Sequence, residues 1–190
     1  MEKDKFAYYH RLCEVAEVVN LAGTPDGVRR SLVESVAKAL ESKACSIMLI
    51  TPDRRFLHYN AAFGLSDWYL GVGPVSADKS ISEALEGKPV AVLDATEDER
   101  IQYREETKRE GIASILSVPM MLRGQIIGVI RVYTGEPRQF TEDDIHFVSA
   151  VANLGAIALE NAKVYDSLRK EYEAFKRDIL DWRFMRGLFR

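Results

Sequence analysis

Residues 114–133 have the sequence SILSVPMMLRGQIIGVIRVY, two strongly apolar runs joined at Arg123-Gly124-Gln125. Two such runs with glycine at the junction predict a pair of antiparallel strands and a tight turn. A strand with one solvated face alternates apolar and polar residues, whereas here both faces are mostly apolar. The hairpin must therefore be covered on both sides. Pro119 has no amide donor, which favours an edge position or a bulge there.

The flanking segments contain the helices that could cover it. Apolar residues at helical spacing predict one helix over residues 6–22, and another from Thr24, as its N-cap, to about Ser42. Thr141, followed by three acids, predicts the start of a long final helix. Because the strands occur in hairpins, the fold class is α+β with a mostly antiparallel sheet. The remaining segments are predicted strands at 44–51, 56–63 and 90–94, a short helix at 79–86, and a polar, helix-prone stretch at 95–111.

Composition excludes several classes of function. The net charge of −3 over 190 residues gives no support for nucleic-acid binding. The apolar runs are too short for a transmembrane segment, and a cytoplasmic location is expected. Cys13 and Cys45 are expected to be small core residues, and the three histidines are scattered, so no metal site is expected. We find no phosphate loop and no nucleophile–base pair, so the chain is expected to have no catalytic residues and not to be an enzyme.

An ordered set of short motifs in the chain resembles the GAF domain family over about residues 10–165. They are ACSIMLITPD (44–53), NAAFGL (60–65), Val118-Pro119, Ile127-Gly128-Val129, and FTEDD (140–144) opening a helix that contains ALENA (158–162). The resemblance implies a PAS-like central antiparallel sheet of about five to six strands. It implies N- and C-terminal helices on one face, and loops with short helices over a small-molecule pocket on the other. Such domains are sensory or regulatory and commonly dimeric.

The residues that mark particular GAF subfamilies are mostly missing. Cyclic-nucleotide-binding members have an Asn-Lys…Phe…Asp-Glu signature; Lys79, Asp98 and Glu99 are present here, but the Asn and Phe are absent at that spacing. Members that attach a bilin, and members that reduce free methionine sulfoxide, use cysteines in the pocket loops. No cysteine follows Cys45. The ligand and any cofactor are therefore unknown from the sequence.

The ligand pocket is predicted between the sheet and residues 65–111, a segment that we call the roof. Trp68 and Tyr69 are amphipathic aromatics that either line this pocket or plug the sheet. Arg131 is expected to point outward; the alternative, an inward side chain, would need an anion or an acidic ligand group as its partner. His58 is expected to lie on the outer face of its strand, and the alternative is a role in the pocket, such as a haem ligand. Asp94 is expected to cap the following loop or to reach a ligand. The predicted pocket residues are Met48, Tyr59, Trp68, Tyr69, Ser80, Ile81, Asp94, Ile101, Tyr103, Leu116, Val118 and Met120. The alternative is a structural homodimerisation module whose pocket is filled by its own side chains.

An apolar stripe on the final helix continues past the end of the domain. Its positions step by three and four from Val151 to Trp182. A stripe on a projecting helix needs a partner, so a homodimer is expected, with a signalling protein at the C-terminal helix as a further expectation. The predicted organisation is an N-terminal dimerisation helix (1–22), a GAF-like domain (23–162) and a C-terminal signalling or coiled-coil helix (163–190). The predicted dimer residues are Phe6, Tyr9, Cys13, Tyr165, Leu168, Tyr172, Phe175 and Ile179.

Overall fold

The computed structural model describes the backbone of residues 2–21, 24–78 and 82–187, and the side chains of residues 8–21, 24–78 and 83–177. Three of its helices are long and form one layer, and three are short and belong to the roof. The long helices are α1 (Glu2–Leu21), α2 (Pro25–Ala39) and α6 (Glu142–Gly187), and the short ones are α3 (Asp67–Leu70), α4 (Ser82–Leu85) and α5 (Arg104–Arg109).

The strands are β1 (Ala44–Ile50), β2 (Phe56–Phe63), β3 (Val75–Ser76), β4 (Val90–Val92), β5 (Ser114–Leu122) and β6 (Gln125–Thr134). They form one antiparallel sheet in the order β3-β2-β1-β6-β5-β4. This confirms the α+β class and the number of strands expected from the resemblance. The predicted hairpin provides β5 and β6, so β6 lies at the centre of the sheet with β1 on its other side.

Local details of the hairpin also follow its sequence. Arg123 and Gly124 form the turn, both with positive φ (51° and 77°), as a two-residue turn matched to the twist of the strands requires. β4 pairs with Ile115–Ser117, and among the described residues the outer edge of β5 has no strand partner at Pro119. The register then shifts between Met120 and Met121. The proline therefore lies at a local edge beside a bulge, as predicted.

The sheet is buried on both faces, which confirms the central expectation for the hairpin. On one face, α1, α2 and α6 enclose a helix-side cluster that includes Leu32, Val36, Val148, Val151 and, from β5, Leu116. On the other face, the roof encloses a roof-side cluster. Its buried members from the sheet are Ala44, Met48, Leu57, Val75, Val90, Val92, Ile115, Val129 and Tyr133.

Two expectations about the helices need correction. Residues 95–111 are mostly turns, and only α5 is helical. Asp94 and Asp98 explain this, since each carboxylate accepts a backbone N–H two residues later, and such local bonds compete with a helix. In α1, Val15 and Val19 are buried, whereas Cys13 is exposed and is not a core residue. Cys45, in contrast, is fully buried in the helix-side cluster, as predicted.

The first half of α6 belongs to the domain, and the second half projects from it. The last fully buried side chain of α6 is Leu159 within the described residues, and Ala162 is partly buried. By length and composition alone, the stretch Glu142–Arg177 could cross a membrane, with a mean hydropathy of 1.2 over its most apolar part. However, core helices of globular domains meet the same criterion, and 39% of that part is buried in this fold. The expectation of no transmembrane segment stays a prediction.

Candidate functional site

Contacts between α3 and α5 hold the two ends of the roof together. Ser66 caps α3 by accepting the Tyr69 amide hydrogen at 3.1 Å. The Glu110 carboxylate, just after α5, accepts hydrogen bonds from the amide and the hydroxyl of the same serine. The Arg109 guanidinium lies 4.0 Å from the centre of the Trp68 ring. These contacts join two short helices that lie over the sheet.

A second set of contacts lies within the roof and reaches β3, the edge strand that belongs to it. The hydroxyls of Tyr69 and Thr107 lie 3.1 Å apart, and both residues are buried. The Tyr103 hydroxyl donates to the carbonyl oxygen of Pro74 at 2.9 Å. The Gln102 side chain accepts the Ser76 amide hydrogen at 2.7 Å. The roof is therefore ordered by side-chain hydrogen bonds rather than by long secondary structure.

Under the roof, a row of polar side chains crosses three neighbouring strands. Ser46 of β1, Arg131 of β6 and Ser117 of β5 are direct cross-strand partners. All three are buried, with Arg131 only 3% exposed. The Arg131 Nε donates to the Ser117 hydroxyl at 3.0 Å. The expectation that Arg131 points outward is wrong, because β6 is a central strand whose two faces are both covered.

Two tyrosines adjoin this row. The hydroxyls of Ser46 and Tyr133 lie 2.9 Å apart, and the Tyr133 hydroxyl also interacts with that of Tyr59. Burial, opposed by the charge of Arg131, raises the pKa of Tyr133 to about 12. Burial also raises the pKa of Tyr59 well above its ordinary value. Both hydroxyls therefore keep their protons at neutral pH and can donate hydrogen bonds.

The structure divides the predicted pocket residues into four groups. Met48, Tyr59, Tyr69, Ile101 and Tyr103 belong to the roof-side cluster or pack against it. Trp68 is 41% exposed on the outer side of the roof, and Asp94 is exposed and caps the loop through Thr96. Ser80 and Ile81 lie outside the described residues.

Three predicted pocket residues are on the wrong face of the sheet. Leu116, Val118 and Met120 pack in the helix-side cluster, and the alternate residues Ile115 and Ser117 face the roof. Successive residues of a strand point to opposite faces. Assigning the even-numbered residues of β5 to the roof face instead of the helix face therefore misplaces all three of these residues.

The polar row itself was missed in the sequence, although a signal for it exists. Ser46, Ser117 and Arg131 are each the one polar residue inside a strongly apolar strand segment. Among the described side chains, no group of three His, Cys, Asp or Glu residues could hold a metal ion. His58 is exposed, as expected for the outer face of β2.

The dimer residues predicted on α6 are all exposed where the structure describes them. Tyr165, Leu168, Tyr172 and Phe175 are between 59% and 65% exposed. On α1, Tyr9 is 64% exposed. Phe6 and Ile179 lie outside the residues whose side chains are described. A groove of about 400 Å³ between the end of α1 and α6 is lined by Val19, Asn161, Ala162 and Tyr165 among others, and leads onto the stripe.

Comparison with known proteins agrees with this architecture. The sequence pattern of the GAF domain matches residues 25–159. A phosphoenolpyruvate-dependent phosphotransferase system protein of Salmonella typhimurium is 29% identical over 157 residues, which cover 81% of this chain and 21% of that protein. A methyl sulfide methyltransferase-associated sensor of Methanosarcina acetivorans is 25% identical over 169 residues, covering 85% of this chain and 17% of that protein. The chain thus spans about a fifth of the length of these relatives.

Solved structures give the same result for the fold. The GAF domain of a phosphoenolpyruvate-protein phosphotransferase from Coxiella burnetii aligns with a TM-score of 0.76 at 20% identity, covering 86% of this chain and 98% of that one. Together with the six-stranded sheet, the match over most of the sequence shows that this chain belongs to the GAF domain family.

Proposed function

We propose that this chain is a cytoplasmic sensory or regulatory domain that binds a small molecule under the roof and signals through α6 in a homodimer. The observation that carries the proposal is the exposed stripe on α6. Four large apolar side chains project from a helix that has already left its domain. Exposed apolar stripes of this kind mark interaction sites. A second copy of the chain would place an identical stripe opposite the first one.

Two features support a ligand on the roof side. The roof rests on the sheet through short helices and side-chain hydrogen bonds, an arrangement that opens at lower cost than a layer of long helices. Its interior holds several hydroxyl groups and one guanidinium within an apolar cluster, which is the composition of small-molecule sites. The relative from Methanosarcina acetivorans is a sensor, and the proposal extends that role to this chain.

The dimer is tested by sedimentation equilibrium of the wild type and of Leu168→Glu. A glutamate in the middle of the stripe should bury a charge in the interface, and we expect the dimer dissociation constant to rise by about 100-fold or more. Ser167→Glu is the matched control, because it adds the same charge to the neighbouring exposed position, away from the stripe. A wild type that stays monomeric at tens of micromolar would contradict the proposed dimer.

The second candidate function is a structural dimerisation module without a ligand. It is favoured by the packing on the roof side, where Met48, Ile115 and Tyr133 are almost fully buried by the protein itself. Native mass spectrometry of the purified protein, before and after denaturation, separates the two candidates. A retained small molecule that is lost on denaturation supports the sensor. An empty dimer whose melting temperature (Tm) responds to no metabolite supports the structural module.

A further inference from the structure

Resting on the homodimer proposed above, we propose that two copies of α6 pair in parallel and in register, as a two-stranded coiled coil. The stripe on the projecting half of the helix has the spacing of a coiled-coil seam. Its members step by three, four and three residues, which are positions a, d, a and d of two heptads. They are Tyr165, Leu168, Tyr172 and Phe175. All are between 59% and 65% exposed, so a second helix can cover them.

The charges on the two sides of this seam favour the parallel orientation. Position e, on one side of the seam, holds Arg169 and Lys176, which are both basic and exposed. Position g, on the other side, holds Val164 and the exposed acid Glu171. In a parallel pair, position g of one helix faces position e of the following heptad on the other helix, which places Glu171 beside Lys176 of the partner subunit. The two-fold axis repeats this attractive contact.

An antiparallel pair of the same helices would bring like charges together. In that orientation position e of one helix faces position e of the other, so with the same apolar layers Arg169 would lie beside Lys176 of the partner subunit. This repulsive contact would also occur twice, and like charges placed opposite each other suppress the wrong arrangement of partners. The attraction in one orientation and the repulsion in the other therefore act in the same direction.

The register follows from the polar residue at the start of the stripe. Asn161 is exposed and occupies position d of the preceding heptad. In an in-register pair the two Asn161 side chains meet, and an amide can both donate to and accept from its own copy. A shift by one heptad would place this amide against Leu168 and leave it without a partner in an apolar contact. Leu154 is also at position d and is 41% exposed, so the seam continues onto the domain itself.

Disulfide cross-linking of the full chain measures the orientation directly. The background is Cys13→Ser, because Cys13 is exposed whereas Cys45 is fully buried. Tyr165→Cys and Phe175→Cys are made separately, at positions about 15 Å apart along the helix. In a parallel, in-register dimer each new cysteine faces its own copy, so both variants should cross-link under mild oxidation. In an antiparallel pair only one level of the helix faces itself, so at most one variant would cross-link. Ser167→Cys, exposed beside the stripe, is the control and should not cross-link.

Charge reversal tests the pairing without changing the apolar seam. Lys176→Glu would place two acids together in the parallel pair, so we expect the dimer dissociation constant to rise by about 10-fold. The double variant with Glu171→Lys restores opposite charges and should return the constant to within about 3-fold of the wild type. Lys170→Glu is the matched control, because it breaks an ion pair with Asp166 inside its own helix, 2.7 Å long, and faces away from the seam. In an antiparallel pair, Lys176→Glu would instead remove repulsion and lower the constant.

The outcomes separate the orientation from the proposed dimer. Cross-linking at both stripe positions, together with weaker dimerisation of Lys176→Glu, supports the inference. If the wild type sediments as a dimer but cross-links at one stripe position or at neither, or if Lys176→Glu dimerises more tightly, the parallel orientation is wrong and the homodimer stands. If the wild type stays monomeric in sedimentation equilibrium and neither position cross-links, both are wrong. Circular dichroism confirms that each variant is folded.

Discussion

Replacing Asp144 with alanine should destabilise the protein by about 3 kcal/mol, because this carboxylate connects three parts of the helix layer. Asp144 is 1% exposed. It accepts the Thr141 amide hydrogen at 2.8 Å, and Thr141 in return accepts the Asp144 amide hydrogen at 3.1 Å, which forms the N-terminal cap of α6. It also accepts hydrogen bonds from the Tyr8 hydroxyl of α1 at 2.7 Å and from the Arg138 guanidinium at 2.9 Å.

The size of this destabilisation follows from the Arg138 guanidinium, which the substitution deprives of its carboxylate partner. Removing one partner of a buried ion pair costs about 3–5 kcal/mol. The Arg138 side chain is 32% exposed, so water can partly solvate it, and this favours the lower end of the range. In a chain of this size, about 3 kcal/mol corresponds to a fall in Tm of about 6–12 °C. Urea unfolding at pH 7 measures the free energy of unfolding directly.

Asp143→Ala is the matched control, since Asp143 is also an acid in the first turn of α6. Its loss should cost no more than about 1 kcal/mol, the value of a favourable interaction with the helix dipole. A difference between the two variants below about 1 kcal/mol would refute the reasoning, because hydrogen bonds to a buried charge are worth more than that.

The pH dependence provides a second check on the same residue. Burial raises the pKa of Asp144, but the hydrogen bonds from Thr141 and Tyr8 and the charge of Arg138 outweigh it, so the pKa lies below its ordinary value of 3.8. A depressed folded-state pKa means that the stabilisation is present above about pH 4 and is lost as the pH falls through the folded-state pKa. The stability gap between the wild type and Asp144→Ala should therefore be constant near neutral pH and narrow below about pH 4. A gap that widens in acid would contradict this account.

Two further predictions concern the sheet and the roof. Gly128→Ala should lower the free energy of unfolding in urea by about 1–3 kcal/mol, because the added Cβ would lie 2.2 Å from the carbonyl oxygen of Met48 and force β6 away from β1. Gly135→Ala is the control, because the atom nearest to its added Cβ is 3.6 Å away. Equal effects of the two substitutions would contradict the steric argument. Glu110→Ala removes both hydrogen bonds to Ser66, and because these bonds are local it should change global stability by less than about 1 kcal/mol but speed hydrogen exchange in residues 66–70. Unchanged exchange there would show that the roof does not depend on this carboxylate.

The elements of the fold could be predicted because their signals are local. The strand at 56–63 has the bounds expected from the sequence, and Thr24 and Thr141 cap their helices as predicted. The turn at Gly124 also follows from its own residues. Such features depend on a few neighbouring residues, and the sequence contains all of them.

The side of the sheet that each residue faces was harder to predict, for a physical reason. A period of two divides Ile115, Leu116, Ser117 and Val118 into two faces but does not say which face the helices cover. When both faces are buried, apolar residues occupy both, and hydrophobicity no longer distinguishes them. The serines opposite Arg131 are the better indicator, because three isolated polar residues in three apolar strands suggest one shared polar row.

The placement of this row suggests how the roof side and α6 could communicate. Arg131 and Tyr133 face the roof, whereas Ile130 and Val132, alternating with them along β6, belong to the helix-side cluster that also contains Val148 and Val151 of α6. A displacement of β6 by the proposed ligand under the roof would therefore move side chains that contribute to the cluster holding α6. Close-packed cores respond to such displacements by changing between discrete arrangements rather than by deforming continuously. The same strand would thus connect the proposed ligand site with the proposed dimer helix, and linkage requires that coupling to be reciprocal.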